Sequence, residues 1–319
     1  MNHNLYRYYF YLTKKCMRVS TGPVTKLYRK VYSFLFQTYL NKIVIKEFEK
    51  HPTIPVRTDR IEFIGSMTTF GVRAEKVWVS IESLLRQTRK LDHIIVWLEN
   101  EEYNSNYNRI PQSLKDCVAR SNGVVEVRFC TGIRAYKKLW FAKQDFPESN
   151  IITFDDDVIY PVDTVEKIME LHTQYPEDIV CISAEEISNS FFDLPDSWDA
   201  NRGYNHFNHV NHDYKLRVMG LSGVLYPPKC FYEPDVFNLE LMKKLCPWND
   251  DLWWTVMATL NGTKISRYEF RSNPLGIWCK GKLSLSDGSD KKSTHGITND
   301  DQWKTLTDYY REQLEEIFK

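Results

Sequence analysis

Apolar and polar positions alternate along this chain in blocks of two kinds. Ile61–Met67 is a short apolar run, and Ala74–Arg86 follows with Val77, Ile81, Leu84 and Leu85 at helical spacing. The same order recurs: an apolar run over His93–Leu98, a helical stretch over Pro111–Arg120, a third run over Val124–Phe129, a helical stretch over Tyr136–Phe146, and a fourth run over Ile151–Phe154. Strands alternating with helices at this interval predict βαβ units on a mostly parallel sheet, an α/β fold. After Cys181 the regularity fades into a segment rich in Asn, Asp, His and Trp through Asp213. Irregular polar segments of that size in an α/β protein build a binding face. A last helix is predicted over Gln302–Ile317, capped by Asp300-Asp301.

Composition adds boundaries to this picture. With 319 residues, 42% of them hydrophobic, the chain is neither disordered nor fibrous and buries a core without a disulfide or metal staple. Its seven cysteines are scattered, with no C-x-x-C spacing, and read as buried apolar residues in a reducing compartment. The longest charge-free stretch, Leu252–Thr263, has 12 residues, short of the roughly 17 that a spanning helix needs. No cleavable signal pattern opens the chain, so the expectation is a cytoplasmic protein.

The formal net charge is zero, which argues against a nucleic-acid binder, but it conceals an asymmetry. Residues 1–50 carry ten Lys or Arg against two acids, Glu47 and Glu49, interleaved with aromatics such as Tyr8, Tyr9, Phe10, Tyr11, Phe34 and Phe36. Such a segment suits an anionic membrane surface, on the cytoplasmic face. The competing expectation is a helical extension whose aromatics pack on the main domain while its lysines are solvated. His51–Pro55 reads as a linker, so two parts are expected: an extension over 1–55 and an α/β domain over 56–319.

The strand Ile151–Phe154 ends in Asp155, Asp156 and Asp157. Open α/β sheets bind ligands beyond the carboxyl ends of their strands. Three adjacent carboxylates repel one another unless cations or donors hold them, and hard oxygen ligands select Mg²⁺ or Mn²⁺. A helix cap at this point needs a single Asp, not three. A second acidic pair, Asp250-Asp251, directly precedes the apolar run Leu252–Met257.

Asp155-x-Asp157 at the end of a fourth strand resembles the Asp-x-Asp motif of GT-A-fold glycosyltransferases. Further stretches resemble the family-2-like members found in bacterial surface-polysaccharide clusters: Ser80–Thr88, Ile94–Leu98, Ala135–Leu139, Gly220–Pro228 and Trp248–Trp253. The resemblance covers roughly residues 60–270 and implies a GT-A, Rossmann-like domain with a nucleotide-sugar half (about 60–160) and an acceptor half (about 180–300). It implies a hexosyltransferase acting on a nucleotide-sugar donor and a glycan or lipid-linked glycan acceptor. Asp155 then contacts the donor's ribose or sugar and is a metal candidate with Asp157, which ligates the Mn²⁺ or Mg²⁺, and Asp156 is a third donor-site candidate. Thr68 and Arg73 are candidate donor contacts, Lys137 and Lys138 add charge near the diphosphate, and Gly220 and Gly223 let the backbone pass close to the transferred sugar. His295 corresponds to a C-terminal metal ligand of some relatives.

Transfer at an anomeric carbon requires a base for the acceptor hydroxyl, and Asp250-Asp251 fits that role. Asp251 matches the base position of inverting members. The plainer expectation for this pair is a helix cap, which Asn249 or Asp250 would serve. His206, His209 and His212 fall in the acceptor region with no zinc pattern. Two other functions use the same residues. One is a metal-dependent phosphohydrolase. The other is a non-catalytic glycan- or nucleotide-binding protein stacking sugars on Trp198, Trp248, Trp253, Trp254 and Trp278.

Overall fold

The computed structural model describes residues 42–187, 212–268, 275–277 and 296–319. Eight strands form one sheet in the order β3-β2-β1-β4-β10-β6-β11-β8. They are β1 (Phe63–Thr68), β2 (His93–Glu99), β3 (Val125–Cys130), β4 (Asn150–Phe154), β6 (Ile179–Cys181), β8 (His212–Asp213), β10 (Val224–Tyr226) and β11 (Ile265–Arg267). Two short pairs stand apart from it, β5 (Val158–Ile159) with β12 (Leu275–Gly276), and β7 (Ala184–Glu186) with β9 (Leu216–Val218). β3, β2, β1 and β4 run parallel, and β10 is antiparallel to both β4 and β6. The parallel 3-2-1-4 order is the Rossmann-like half of an open α/β sheet. The expected class, a mostly parallel central sheet flanked by helices, is therefore the observed one.

A parallel sheet covered on both faces is apolar on both, and β2 obeys this residue by residue. Ile95 and Trp97 enter one core cluster, while Ile94, Val96 and Leu98 enter the other. Besides a single turn over Asn100–Tyr103, the helices are α1 (residues 42–50), α2 (Val77–Leu85), α3 (Gln112–Arg120), α4 (Lys137–Asp145), α5 (Thr164–Gln174), α6 (Leu239–Leu245), α7 (Asp250–Leu260), α8 (Asn299–Tyr309) and α9 (Arg311–Ile317). Residues of α2, α3 and α5 line the Val96 face, and those of α4, α7 and α8 line the Trp97 face. Trp253 and Trp254 are fully buried there, which removes them from any sugar-stacking surface. Trp198 and Trp278 lie outside the described residues.

One sequence expectation changes. The helix expected over Gln302–Ile317 is two helices meeting at Tyr310, whose ring is buried and whose hydroxyl donates to Asp235 at 2.9 Å. Its cap is Thr298, which shares a capping box with Asp301, so Asp301 supports the first turn instead of opening it. His51–Pro55, read as a linker, forms neither helix nor strand, and the helix before it packs on the rest of the chain. Val44 and Phe48 of α1 are buried in an apolar cluster with Val79, Ile159 and Ile277. Among the described residues no helix is long and apolar enough to cross a membrane.

Candidate active site

Because β1, β2 and β4 are parallel, their carboxyl ends bring Thr68, Glu99 and Asp155 to one edge. Thr68 turns inward, its hydroxyl donating to the Trp97 carbonyl at 3.0 Å. The turn beyond β1 coils into a 3-10 segment, Gly71–Arg73, and folds Arg73 back over the end of β4. Arg73 is buried, bonded to Asp156 and 2.8 Å from Asp157. The expected donor contact is thus, in this structure, the counter-charge of two of the three strand-end acids. Tyr160 fixes the turn itself: its hydroxyl accepts the Asp155 amide at 2.6 Å.

Lys138 takes the third acid. The Lys138 carbonyl, in the first turn of α4, accepts the Ser66 hydroxyl of β1, and Trp97 Nε1 donates to the same hydroxyl at 2.9 Å. So anchored, Lys138 Nζ lies 2.9 Å from Asp155 Oδ1 and 3.7 Å from Asp250 Oδ2. Lys137 points the other way, 2.5 Å from Glu99. Both lysines are buried, contrary to the ordinary expectation of solvated lysines at a helix start. Burial opposes the Lys138 ammonium, but Asp155, Asp250 and Asp251 outweigh it and raise its pKa.

Asp250 and Asp251 open α7, and the cap is neither of them. Asn249 accepts the Leu252 amide at 3.3 Å, which leaves both carboxylates to face Lys138 and the Gly220 turn. Gly220 donates its amide to Asp251 Oδ2 at 3.2 Å. A Cβ on Gly220 would stand 3.3 Å from both Asp251 Oδ1 and Lys138 Nζ, close enough to crowd both groups by a few tenths of an ångström. Gly223, at φ +95°, instead packs on Phe154 and Ile168 in the core.

The charges divide these acids. Burial pushes the Asp251 carboxyl up to about 7, aided by Asp250 and opposed by Lys138 and Arg217. Asp250 is raised by burial too, and its buried Oδ2 has no hydrogen-bond donor. Asp155 moves the other way: burial opposes its charge, but Lys138 and Arg73 hold it below the usual carboxylate range. Burial raises Asp156 to about 6 against Arg73.

Among the described residues no three His, Cys, Asp or Glu side chains converge as a wholly protein-held metal site requires. The set fits a different kind of ion. Mg²⁺ and Mn²⁺ are commonly held by one or two carboxylates, with substrate phosphates and water completing the shell. Asp157, 39% exposed at the strand end and sharing Arg73 with Asp156, suits that partial role. His295 lies outside the described residues, as do His206 and His209. His212 stands away from the acids, bonded through Nδ1 to Asp178 at 2.7 Å.

Sequence reasoning missed Arg217, Tyr160 and Glu99. Arg217 was detectable as a charge between Leu216 and Val218, both buried; it pairs with Glu185. Nothing in the local pattern marks Glu99, which depends on the Lys137 pairing.

No protein-family model matches the chain, and no curated protein does. Among solved structures, the crystal structure of S. aureus TarS 1–349 is similar to it at 14% identity, covering 68% of this chain and 60% of that one, with a TM-score of 0.46.

Proposed function

We propose that the chain is a metal-dependent, inverting glycosyltransferase that moves a hexose from a nucleotide-sugar donor to a glycan or lipid-linked glycan. The observation that carries this reading is the position of Lys138 between Asp155 on the strand-end side and Asp250-Asp251 on the helix side. On the strand-end side Lys138 and Arg73 hold Asp155 ionised, while Asp156 and Asp157, raised by burial, share Arg73, an arrangement suited to a cation and a diphosphate. The helix side holds a carboxyl whose proton affinity lies near neutrality, suited to a general base.

Asp157, with Asp155 beside it, would hold a Mn²⁺ or Mg²⁺ ion. Such an ion offsets charge on a departing nucleoside diphosphate. Arg73 keeps Asp156 and Asp157 in register. Asp251 accepts the proton of the acceptor hydroxyl as that oxygen attacks the anomeric carbon. The Gly220 amide fixes the orientation of the accepting carboxylate, and Asp250 together with burial keeps its proton affinity high enough to act. Attack from the base side, opposite the leaving phosphate, inverts the anomeric centre. The basic segment 1–50 places this chemistry at an anionic membrane surface, on the cytoplasmic side.

The test is calorimetric titration of nucleoside diphosphates and nucleotide sugars with Mn²⁺, with Mg²⁺ and with chelator. One nucleotide binding only with metal is the expected result, and Asp157→Ala should abolish that binding with the fold intact. Binding by none of them to folded protein defeats the reading. Release of product without any acceptor points to a phosphohydrolase.

A further inference from the structure

The turn that carries Asp157 is held from below by a part of the chain that precedes the α/β domain. β5 begins one residue after Asp157 and pairs with β12, and the Ile277 amide donates to the Asp157 carbonyl at 2.6 Å. Ile159 and Ile277, one from each side of that pair, are buried with Val44 and Phe48 of α1 and with Val79 of α2. This cluster is separate from the two that flank the main sheet. Val44 and Phe48 thus supply part of the apolar backing of the β5–β12 pair, beside Val79 and Trp78 of α2.

The far end of α1 is tied down by an unusual group. Glu82, in the middle of α2, is fully buried. It accepts the Thr53 amide at 2.8 Å and the Thr53 hydroxyl at 2.6 Å, and it pairs with Arg86 at 2.9 Å and Arg120 at 3.1 Å. A buried carboxylate survives only when its oxygens are satisfied this fully. Arg86 closes the loop: it bonds to the His51 carbonyl and lies over the Phe48 ring, 4.7 Å from its centre. Residues 44–53 are thus held at one end by a cluster that includes Ile159 of β5 and at the other by α2. The α2 helix adds its own ties, with Ser80 donating to the Val158 carbonyl at 2.7 Å and Ser83 accepting the Tyr160 amide at 3.1 Å.

We propose that α1 is a strap that positions the Asp157 turn, with Phe48 and Val44 acting as positioning residues for the metal–diphosphate site. The proposal rests on the reading of Asp157 as the metal-binding carboxylate. The strap acts through backbone: it sets where the Asp157 carbonyl and the β5–β12 pair lie, and so the reach of the carboxylate, without touching a ligand.

The full chain, Phe48→Ala, the milder Val44→Ala and the exposed-face control Glu49→Ala are compared by hydrogen exchange. Residues 155–160 and 275–277 should exchange at least about tenfold faster in Phe48→Ala and less so in Val44→Ala, with β1 and β2 unchanged and the control like wild type. Unchanged exchange there, or a rise spread evenly over the sheet, overturns the strap. The same proteins are titrated with Mn²⁺ and the nucleoside diphosphate that wild type binds best. A several-fold loss of affinity in Phe48→Ala is expected; equal affinity alongside the exchange change overturns its positioning role. Wild type that binds no nucleotide defeats the functional reading, while the exchange contrast still decides the strap.

Discussion

The Gly220 amide donates to the Asp251 carboxylate at 3.2 Å, and the missing side chain of Gly220 is what leaves room for that bond. A methyl group there would press on the Asp251 carboxylate and the Lys138 ammonium together. Gly220→Ala should therefore lower kcat, by at most about 100-fold, since a misplacement of about 1 Å at a reacting group carries that cost. Nucleotide affinity and melting temperature should change little. A kcat within twofold of wild type would show that the base is placed by something other than this turn.

Asp251 links rate and stability through one pKa. The base must be ionised, so the transfer rate should rise with pH through about 7 and then level off. The stability effect has the opposite direction. The folded pKa lies above the unfolded value of roughly 3.9, so between those limits the native state holds a proton that the unfolded chain releases. Stability from this group is full below the unfolded value and is lost as pH rises toward the folded one. Asp251→Asn should lose about 10²–10⁴-fold in rate with donor binding nearly unchanged. It should also melt higher than wild type at neutral pH, with the gap narrowing toward acid. Thermal melts across that range test the second half without any substrate.

Most of the sheet was legible in the sequence because its signal is local. β2 shows its alternation within five residues, and the Asp triplet follows directly on an apolar strand. The site was legible only as separate pieces. Asp155, Asp251 and Lys138 were each marked by type or motif, but what joins them is the Ser66–Lys138 anchor between β1 and α4, a contact across 72 positions. Arg73 was read as a ligand contact because its ion pairs with Asp156 and Asp157 span more than 80 residues. The packing of Phe48 on Ile159 and Ile277 has the same character: three apolar residues from distant segments give no pattern until the chain is folded.

Lys138 makes a prediction that separates structure from chemistry. Lys138→Met leaves Asp155 and Asp250 without their shared cation in a buried setting, which costs about 3–5 kcal/mol when one partner of a buried pair is removed. The protein should melt markedly lower, and the pH–rate profile should move to higher pH because the positive charge opposing protonation of Asp251 is gone. Adding Asp250→Asn should recover part of the stability by removing one of the stranded charges. If the single variant melts like wild type, the carboxylates are already neutral and Lys138 does not hold them.

The amino-terminal segment divides into two functions that one deletion would confuse. Residues 1–41 hold seven Lys or Arg and no Asp or Glu, whereas α1 carries the buried Val44 and Phe48. Removing 1–41 should release the protein from anionic vesicles, with release matched by raised salt on the full chain, and leave its melting temperature unchanged. Removing 1–50 should release it equally but also destabilise the fold, since each buried apolar side chain contributes about 1.5–3 kcal/mol. Vesicle sedimentation and thermal melts on both truncations, run together, separate the effects. Equal melting of the two truncations would mean that α1 adds nothing to the domain, and continued sedimentation of the shorter deletion would place the membrane contact elsewhere.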